Sequence, residues 1–277
     1  MKDLFNLSGK VIIITGAAGL LGRKHAEVIA AYGGNPILLD LSLNSVNEYA
    51  NELNNKYGVK SAGFMVDITN ESQIENNVKK LVDIYGKIDG LVNNASINLD
   101  KPSEEGNVQH NTTRIENFAL EAWNKEIAVG LSGAFLCAKH YGYQISQNPN
   151  GGSIINISSD LGLISPDQRL YMKSNVSDEQ QSVKPVTYSV VKTGLIGLTR
   201  YLATYWAEQN VRCNAMCPGG VDNKLPADFM KNVESRIPMG RLAKENEYQS
   251  TLLWMLSDSS SYLNGSIVSI DGGRTVW

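Results

Sequence analysis

Cysteine and histidine are scarce in this chain of 277 residues, which has three of each. The odd and sparse set of cysteines argues against a disulfide framework and suits a cytoplasmic protein: Cys137, Cys213 and Cys217. Because Cys213 and Cys217 share an extended segment, we interpret them as small buried residues rather than metal ligands. The histidines show no metal-ligand spacing, so we predict no metal site. We expect His25 and His140 on helices as surface or packing residues.

An excess of charge and long apolar runs are missing as well. Charged residues make up 19% of the chain, the net charge is -3, and no basic stripe stands out. We therefore expect neither nucleic acid nor a membrane surface among its partners. The apolar runs are too short to span a bilayer, and the charged start Met-Lys-Asp-Leu-Phe does not resemble a signal peptide. Both observations favour the cytoplasm.

What the chain does have is a regular alternation of strand-like and helix-like segments. That pattern is typical of a parallel sheet with helices on both faces, so we predict an α/β, Rossmann-like, doubly wound sheet of about seven strands. A single domain is expected over residues 1–277. Helices are predicted from Ala119 to about Ser146 and from Val186 to Glu208. Irregular polar stretches follow the fourth, fifth and sixth strands and are expected to converge on one crevice: 97–117, 160–185 and 220–241.

The stretch from position 10 to position 22 has the pattern strand, glycine turn, helix. Val11 to Ile14 is a β-branched run, and Gly16, Gly19 and Gly22 follow it. Without a Cβ, the turn can bring backbone N–H groups against a phosphate, and the next helix directs its positive dipole end to the same place. A dinucleotide pyrophosphate would fit, although tight strand-to-helix turns also need glycine for structural reasons alone.

An acidic residue after the second strand supports the dinucleotide interpretation. The apolar run Pro36-Ile-Leu-Leu ends in Asp40. An acidic residue about 20 residues after the glycine turn is the one that binds the adenosine ribose in dinucleotide-binding folds, and Asp40 is close to that position. A carboxylate accepts hydrogen bonds from both ribose hydroxyls and repels a 2′-phosphate, and Leu41 supplies no positive charge. The sequence therefore predicts NAD rather than NADP.

Tyr188 and Lys192 are four residues apart on a predicted helix and so share one face. A free phenol has a pKa of about 10, which is too high for proton exchange at neutral pH, but a neighbouring ammonium lowers it. Tyr188 is thus a candidate general acid/base, and Ser159 at the end of the fifth strand can hold a substrate oxygen. This tyrosine–lysine spacing alone occurs by chance in many helices. Because it follows the glycine turn, Asp40 and Ser159 in that order, we favour a role in catalysis.

Over essentially its whole length the chain resembles the compact branch of the short-chain dehydrogenase/reductase family. The resemblance lies in the glycine turn, Asn93-Asn94-Ala95, Asn156-Ile-Ser-Ser159, Tyr188-Ser-Val-Val-Lys192, Pro218-Gly219 and Asp271-Gly-Gly. It implies adenine contacts at Asp67, nicotinamide-ribose binding at Lys192, and an active homodimer or homotetramer. The implied cofactor-binding set is Gly16, Ala18, Gly19, Leu20, Leu21, Gly22, Asp40, Asp67, Ile68, Asn94, Ala95, Ser96, Tyr188, Lys192, Pro218, Gly219 and Val221.

Two departures from the family pattern concern the glycine turn and the catalytic set. The glycine spacing Thr-Gly-x-x-Gly-x-x-Gly resembles the extended epimerase branch, but too little chain follows Pro218 for that branch's added domain. Gly130 stands where the family places a catalytic Asn. A mid-helix glycine is unfavourable by roughly 0.5–1 kcal/mol relative to alanine, so we expect a helix distortion or a close contact there. The family resemblance implies that the carbonyl of Gly130 holds a water of a proton relay.

A long insertion before Tyr188 supplies polar candidates for substrate contact: Gln168, Arg169 and Tyr171. Tyr171 has Asn175 rather than lysine four residues on, so it is rejected as the catalytic tyrosine. The insertion and the ending Gly-Gly-Arg-Thr-Val-Trp resemble flagellin-modification oxidoreductases of carbohydrate metabolism, which implies a sugar or sugar-phosphate substrate. Two alternatives stay open: an epimerase or dehydratase that transfers hydride transiently, and a non-catalytic NAD(H)-binding regulator.

Overall fold

Seven parallel strands form one sheet in the computed structural model, which describes residues 2–97, 113–172, 176–223 and 227–277. The strands are β1 Val11–Thr15, β2 Asn35–Asp40, β3 Ala62–Met65, β4 Gly90–Asn93, β5 Gly152–Ile157, β6 Val211–Pro218 and β7 Ile267–Ile270. Their order across the sheet is β3-β2-β1-β4-β5-β6-β7, and every neighbouring pair is parallel. The predicted fold class is confirmed.

Helices connect the strands and cover both faces of the sheet. Their bounds are α1 Leu20–Ala31, α2 Leu43–Tyr57, α3 Glu71–Tyr85, α4 Leu120–Ile127, α5 Gly133–Cys137, α6 Tyr143–Ser146, α7 Val186–Tyr205, α8 Ala227–Glu234 and α9 Gln249–Leu256. The predicted long helix after position 119 is thus three α-helical pieces. Two π turns, Ala128–Ser132 and Ala138–Gly142, join them.

Side chains of β1 alternate between two cores. Ile12 and Ile14 pack with buried residues of α1, α2 and α9, whereas Val11 and Ile13 pack with residues of α3, α5 and α7. Because both faces are buried, the strand is a continuous β-branched run rather than an apolar–polar alternation. This sandwiching fixes where the glycine turn after β1 emerges from the sheet.

The sheet has a topological switch point at β1. The chain goes from β1 to β2 on one side, and β4 pairs with β1 on the other. Ligands of open parallel sheets bind in the crevice at such a point, beyond the carboxyl ends of the strands. The candidate residues that follow β1, β2, β4, β5 and β6 all lie at this edge.

The structure corrects the sequence prediction for residues 220–241, which we expected to be loop. This stretch contains α8, whose apolar residues lie three to four positions apart, as an amphipathic helix requires. Four buried residues from the preceding insertion, from α8 and from the segment after it form a small core: Leu170, Val233, Ile237 and Leu242. Much of the predicted first loop, including His110, lies outside the described residues.

The scarce residues are buried where the structure describes them. All three cysteines are free and buried, and burial raises the pKa of each thiol. His25 on α1 is fully buried, neither ring nitrogen has a hydrogen-bond partner within the described part of the chain, and burial lowers its pKa to about 3. It is therefore a neutral packing residue. None of the helices in the described ranges is both long and apolar enough to cross a bilayer.

Candidate active site

The glycine turn is too tight for side chains at two of its three glycines. Gly16 has φ +64°, and a Cβ on it would lie 2.8 Å from Cα of Ala95. A Cβ on Gly22 would lie 2.3 Å from the carbonyl oxygen of Gly16. At Gly19, by contrast, the nearest atom would be 3.3 Å away. The first and third glycines thus serve packing of the turn, and the second leaves its backbone open for close approach of a ligand.

The amino end of α1 has no side-chain cap among the described residues. Gly19 occupies the N-cap position, and the first turn contains no acidic residue. The N–H groups of Leu20, Leu21 and Gly22 begin the helix and have no intrahelical acceptor there. Unsatisfied donors at a positive helix end fit an anionic pyrophosphate. The predicted phosphate-binding residues Leu20, Leu21 and Gly22 thus have backbone donors at this helix end, whereas the N–H of Ala18 is taken by Asp40.

Asp40 is tied to this turn at the end of β2. Its Oδ2 accepts from the backbone N–H of Ala18 at 3.0 Å, and its Oδ1 accepts from Leu41 at 2.8 Å. The carboxylate is thereby fixed beside the glycine turn, and the exposed Leu41 adds no cation. This geometry fits the predicted contact with a ribose diol.

Asn94 holds the turn from the other side, at the end of β4. Its Nδ2 donates to the carbonyl oxygens of Thr15 at 2.9 Å and of Gly16 at 3.1 Å. The backbone N–H groups of Asn94 and Ala95 both donate to Thr15 Oγ1 at 3.0 Å. Asn94 therefore shapes the cofactor crevice through the backbone, and the exposed Ser96 follows at its rim.

The other predicted cofactor residues lie at the ends of β3 and β6. Asp67 accepts from Thr69 N–H at 2.9 Å and its hydroxyl at 2.7 Å, a turn that leads into α3. Ile68 is buried against the glycine face of α5. Beyond β6, Tyr248 donates to the Gly219 carbonyl at 2.9 Å. This bond fixes the loop that contains Pro218, Gly219 and Val221.

Tyr188 and Lys192 share one face of α7, as predicted. The Nζ of Lys192 lies 5.7 Å from the centre of the Tyr188 ring and donates to the carbonyl oxygen of Ile157 at 2.9 Å. Lys192 is 5% exposed, and burial lowers its pKa to about 8. Its ammonium is thus held beside the phenol by the end of β5.

A second lysine that the sequence prediction missed also faces Tyr188. Lys184 Nζ lies 4.2 Å from the centre of the ring, in the geometry of a cation–π contact. Lys184 is four residues before Tyr188, just ahead of the first turn of α7. The signal was therefore the repeat of lysine at four-residue intervals around the tyrosine. Two positive charges near one phenol both favour its ionised form.

Ser159 is buried at the end of β5 and belongs to a polar chain. Its hydroxyl donates to Asp160 Oδ1 at 2.7 Å and accepts from Leu161 N–H at 3.1 Å. The other carboxylate oxygen of Asp160 accepts from Arg274 Nη1 at 2.8 Å. The sequence prediction identified the serine but neither partner. Their only sequence signal was an acidic residue directly after Ser159 and a basic one directly after Asp271-Gly-Gly.

Gly130 lies in the first π turn, so the expected helix distortion is confirmed. The expected close contact is confirmed as well, because a Cβ on Gly130 would lie 2.5 Å from Cγ1 of Val191. Val191 is the residue before Lys192 on α7. The absence of a side chain at Gly130 therefore lets the two helices approach closely next to Lys192.

The three predicted substrate residues lie in the insertion between β5 and α7. Gln168 Oε1 accepts from the backbone N–H of Lys184 at 2.9 Å. Arg169 makes a two-pronged contact with Asp167, both at 2.8 Å, and its side chain is largely exposed. The Tyr171 ring packs against Phe229 of α8 at 5.7 Å. Gln168 and Tyr171 thus hold the substrate-side wall together, and Arg169 lies on its surface.

One polar cluster outside the crevice was missed by the sequence analysis. Glu71, Glu75 and His140 bring three possible metal-ligating atoms within 4.8 Å of one another between α3 and the second π turn. Glu71 Oε1 already lies 2.6 Å from Lys139 Nζ and 2.8 Å from His140 Nε2. The arrangement is that of a surface ion-pair cluster.

Comparisons with known proteins agree with this geometry. A family model described as "Enoyl-(Acyl carrier protein) reductase" matches residues 16–275. An NADP-dependent mannitol dehydrogenase of Alternaria alternata is 34% identical over 100% of this chain and 96% of its own. An NAD-dependent glycerol dehydrogenase of Listeria innocua is 29% identical, with 99% and 97% covered. The crystal structure of a short-chain type dehydrogenase/reductase from Mycobacterium marinum superposes with a TM-score of 0.82 at 27% identity, covering 99% of this chain and 98% of that one.

The two dehydrogenases differ in the cofactor and substrate that their names give, but each matches this chain over nearly its whole length. A nicotinamide dinucleotide is the cofactor that this family uses, and the uncapped helix end and close-approach turn at the crevice fit it. Since the match extends over the glycine turn, the tyrosine–lysine pair and the Asp271-Gly-Gly segment alike, the chain belongs to the short-chain dehydrogenase/reductase family of oxidoreductases.

Proposed function

We propose that this chain is an NAD-dependent dehydrogenase that interconverts a secondary alcohol and a ketone on a polar substrate, a sugar or sugar phosphate. The observation that carries the proposal is the position of Tyr188. Lys192 Nζ lies 5.7 Å and Lys184 Nζ 4.2 Å from the centre of its ring. Two cations beside a phenol make it a general acid/base at neutral pH.

Each residue of the site has a defined task in this proposal. Tyr188 takes the proton from the alcohol or returns it to the ketone, and Lys192 stabilises the phenolate and holds the ribose. Ser159 donates a hydrogen bond to the reacting oxygen. The carbonyl of Gly130 anchors a water of the proton relay. When bound, the nicotinamide ring would accept or supply the hydride.

The choice of NAD rests on Asp40. Its carboxylate is fixed by Ala18 and Leu41 N–H groups, so it stands where a 2′-phosphate of NADP would bring a second negative charge. The next residue is Leu41 rather than an arginine or lysine. One relative is named for NADP and another for NAD, so this residue rather than relationship supports the preference.

We predict that Asp40→Asn lowers the ratio of NAD to NADP affinity by about 10- to 100-fold, because the repulsive charge is lost while the side chain keeps one acceptor. The dissociation constants of both cofactors are measured by fluorescence titration. Asp67→Asn is the matched control, since it changes a carboxylate at the neighbouring strand and should weaken both cofactors alike. An unchanged ratio in Asp40→Asn would contradict the assignment of NAD preference to this carboxylate.

The polar substrate is supported by the walls of the site. A pocket between the substrate-side loops has both polar and apolar residues in its lining: Arg114, Gln168, Arg169, Met172, Asp178, Glu179, Gln181, Ser182 and Val183. The charged and amide groups among these residues can hydrogen-bond sugar hydroxyls and pair with a phosphate. Two relatives named for mannitol and glycerol add support. A link to flagellin modification is part of this proposal on sequence resemblance alone.

The test is turnover with NAD and a panel of mannitol, glycerol, gluconate, fructose 6-phosphate and simple apolar secondary alcohols, followed as NADH absorbance. Reduction of NAD by a polyol or sugar supports the proposal. Turnover of apolar alcohols alone would contradict the polar substrate. Product formation without net NADH favours an epimerase or dehydratase, and tight NADH binding without any turnover favours a non-catalytic regulator.

A further inference from the structure

Asp160 and Arg274 form a buried ion pair next to the catalytic serine. Arg274 Nη1 lies 2.8 Å from Asp160 Oδ2, and the two side chains are 10% and 4% exposed. Every other ion pair in the described ranges has at least one partly exposed partner. Burying two charges adds little net stability compared with apolar residues of the same volume. The pair therefore calls for a role in the site.

The segment that follows β7 is shaped to direct Arg274 inward. Asp271 Oδ1 accepts from Gly273 N–H at 3.0 Å and Oδ2 from Thr275 N–H at 2.9 Å. Gly272 and Gly273 have φ values of +66° and +89°, which other residues rarely adopt. The Asp-Gly-Gly turn thus reverses the chain and points the next side chain at Asp160.

The pair meets the serine hydroxyl through a single carboxylate. Asp160 Oδ1 accepts from both the Ser159 hydroxyl, at 2.7 Å, and Leu161 N–H, at 2.8 Å. A hydroxyl has one proton, so Ser159 can donate either to Asp160 or to a substrate oxygen, or must share it between them. The strength of Asp160 as an acceptor therefore controls how easily Ser159 binds the substrate.

We propose that Arg274 is a positioning residue for catalysis, which acts through Asp160 on the Ser159 hydroxyl. By holding the outer carboxylate oxygen, Arg274 fixes the carboxylate and draws its negative charge away from the serine. Ser159 then keeps its rotamer but can turn its proton to the reacting oxygen, while Arg274 and Leu161 N–H still satisfy the carboxylate. The inference rests on the proposed function in one respect, that Ser159 binds the reacting oxygen.

Loss of the guanidinium should impair chemistry more than binding. In Arg274→Ala the carboxylate of Asp160 is buried without its cation and holds the serine proton more tightly. We expect kcat for NAD with mannitol or glycerol to fall about 10- to 100-fold, with KM and the NADH dissociation constant changed less than about 3-fold. Arg274→Lys keeps the charge and should retain most of kcat. Adding Asp160→Asn to Arg274→Ala removes the stranded charge and should recover part of the lost kcat.

Arg212→Ala is the matched control for a purely structural effect. Arg212 is another partly buried arginine, but it lies at the opposite end of β6, where its Nη2 donates to the carbonyl oxygen of Met255 at 3.0 Å. It should lower the melting temperature and leave kcat unchanged. If Arg274→Ala behaves like Arg212→Ala, or if Asp160→Asn does not improve it, the proposal is overturned.

A crystallographic comparison decides the same question without a substrate. In NADH complexes of the wild type and of Arg274→Ala, we expect the Ser159 hydroxyl to stay on Asp160 Oδ1 in the variant, at a distance no longer than the 2.7 Å of the wild type. A Ser159–Asp160 contact that lengthens or breaks in the variant would overturn the proposal. A wild-type enzyme that turns over no alcohol would refute the proposed function, and the two crystal structures would still decide the role of Arg274.

Discussion

Lys192 shows at the scale of one residue how stability is given up for chemistry. The side chain is buried, and its pKa falls from 10.5 to about 8. Above pH 10.5 the lysine is neutral in the folded and the unfolded chain, and burial is without penalty. As the pH falls toward 8, only the unfolded chain gains the proton, so the folded state loses stability; below pH 8 the full penalty of about 3 kcal/mol is present.

We therefore predict that Lys192→Met raises the free energy of unfolding at pH 7 by about 1–2 kcal/mol while abolishing turnover. The gain is smaller than the penalty for burying the ammonium, because the variant also loses the hydrogen bond from Lys192 Nζ to the Ile157 carbonyl. Urea denaturation at pH 7 and at pH values between 8 and 10 measures the difference, which should shrink with rising pH. A variant less stable than the wild type at pH 7 would show that the ammonium is stabilising where it lies.

Two residues beside the catalytic set could not be found from the sequence, for a physical reason. Tyr188 and Lys192 are neighbours on one helix, so their spacing alone predicts their contact. Asp160 and Arg274 are 114 positions apart, and only the packing of β7 beside β6 brings them together. The types and local spacing of residues in the sequence do not predict a contact between two residues this far apart.

At the scale of elements, α4, the first π turn and α5 follow one another, and Gly130 in the π turn packs against Val191 of α7. Helix propensity favours Ala over Gly by about 0.5–1 kcal/mol, so an alanine at Gly130 should stabilise an isolated helix. Packing opposes this, because the Cβ would lie 2.5 Å from Val191 Cγ1 in a buried contact. Overpacking of this kind typically costs about 1–3 kcal/mol, so the contact outweighs the propensity.

We predict that Gly130→Ala lowers the free energy of unfolding by about 1–2 kcal/mol. Gly197→Ala on α7 is the control, since its Cβ would meet nothing within 4 Å and should stabilise by about 0.5–1 kcal/mol. Combining Gly130→Ala with Val191→Ala should remove the clash, seen as a positive coupling in a double-mutant cycle by urea denaturation. Additive effects would contradict the packing account. Because asparagine has the same Cβ, a Gly130→Asn test of the proton relay belongs in the Val191→Ala background.

The sequence predicted the long elements well and the substrate-side elements poorly. Helix α7 was expected from Val186 to Glu208 and runs from Val186 to Tyr205. Helix α8 has eight residues between polar loop segments, and its apolar side chains find partners such as Leu170 only in the folded chain. Short elements stabilised by distant contacts leave a weak local pattern.

At the scale of the whole molecule, exposed aromatic residues support the predicted homodimer or homotetramer. Phe135 on α5 and Tyr143 on α6 are 52% and 58% exposed, and Tyr201 and Tyr205 on α7 are 62% and 59% exposed. Large exposed aromatics on neighbouring elements are typical of protein–protein contact. The edge strand β7 is also only half-covered. We propose that subunits associate through α5–α7 and along β7.

Light scattering after gel filtration should give a mass of two or four chains for the wild type. Phe135→Glu combined with Tyr143→Glu should reduce the mass, because two buried charges would disrupt the interface. Ile84→Glu on α3, where the exposed side chain lies outside the proposed contact, should not. A wild type that elutes as a single chain would contradict the proposed assembly.

The central claim is that one phenol performs the proton transfer of an alcohol dehydrogenase. Tyr188→Phe keeps the ring and removes the acid, whereas Tyr262→Phe makes the same change at a fully exposed tyrosine. The measurement is kcat/KM for NAD reduction by the best polyol of the panel. We predict a loss of about 100- to 10,000-fold in Tyr188→Phe and none in Tyr262→Phe. A Tyr188→Phe enzyme within a few-fold of the wild type would contradict the account.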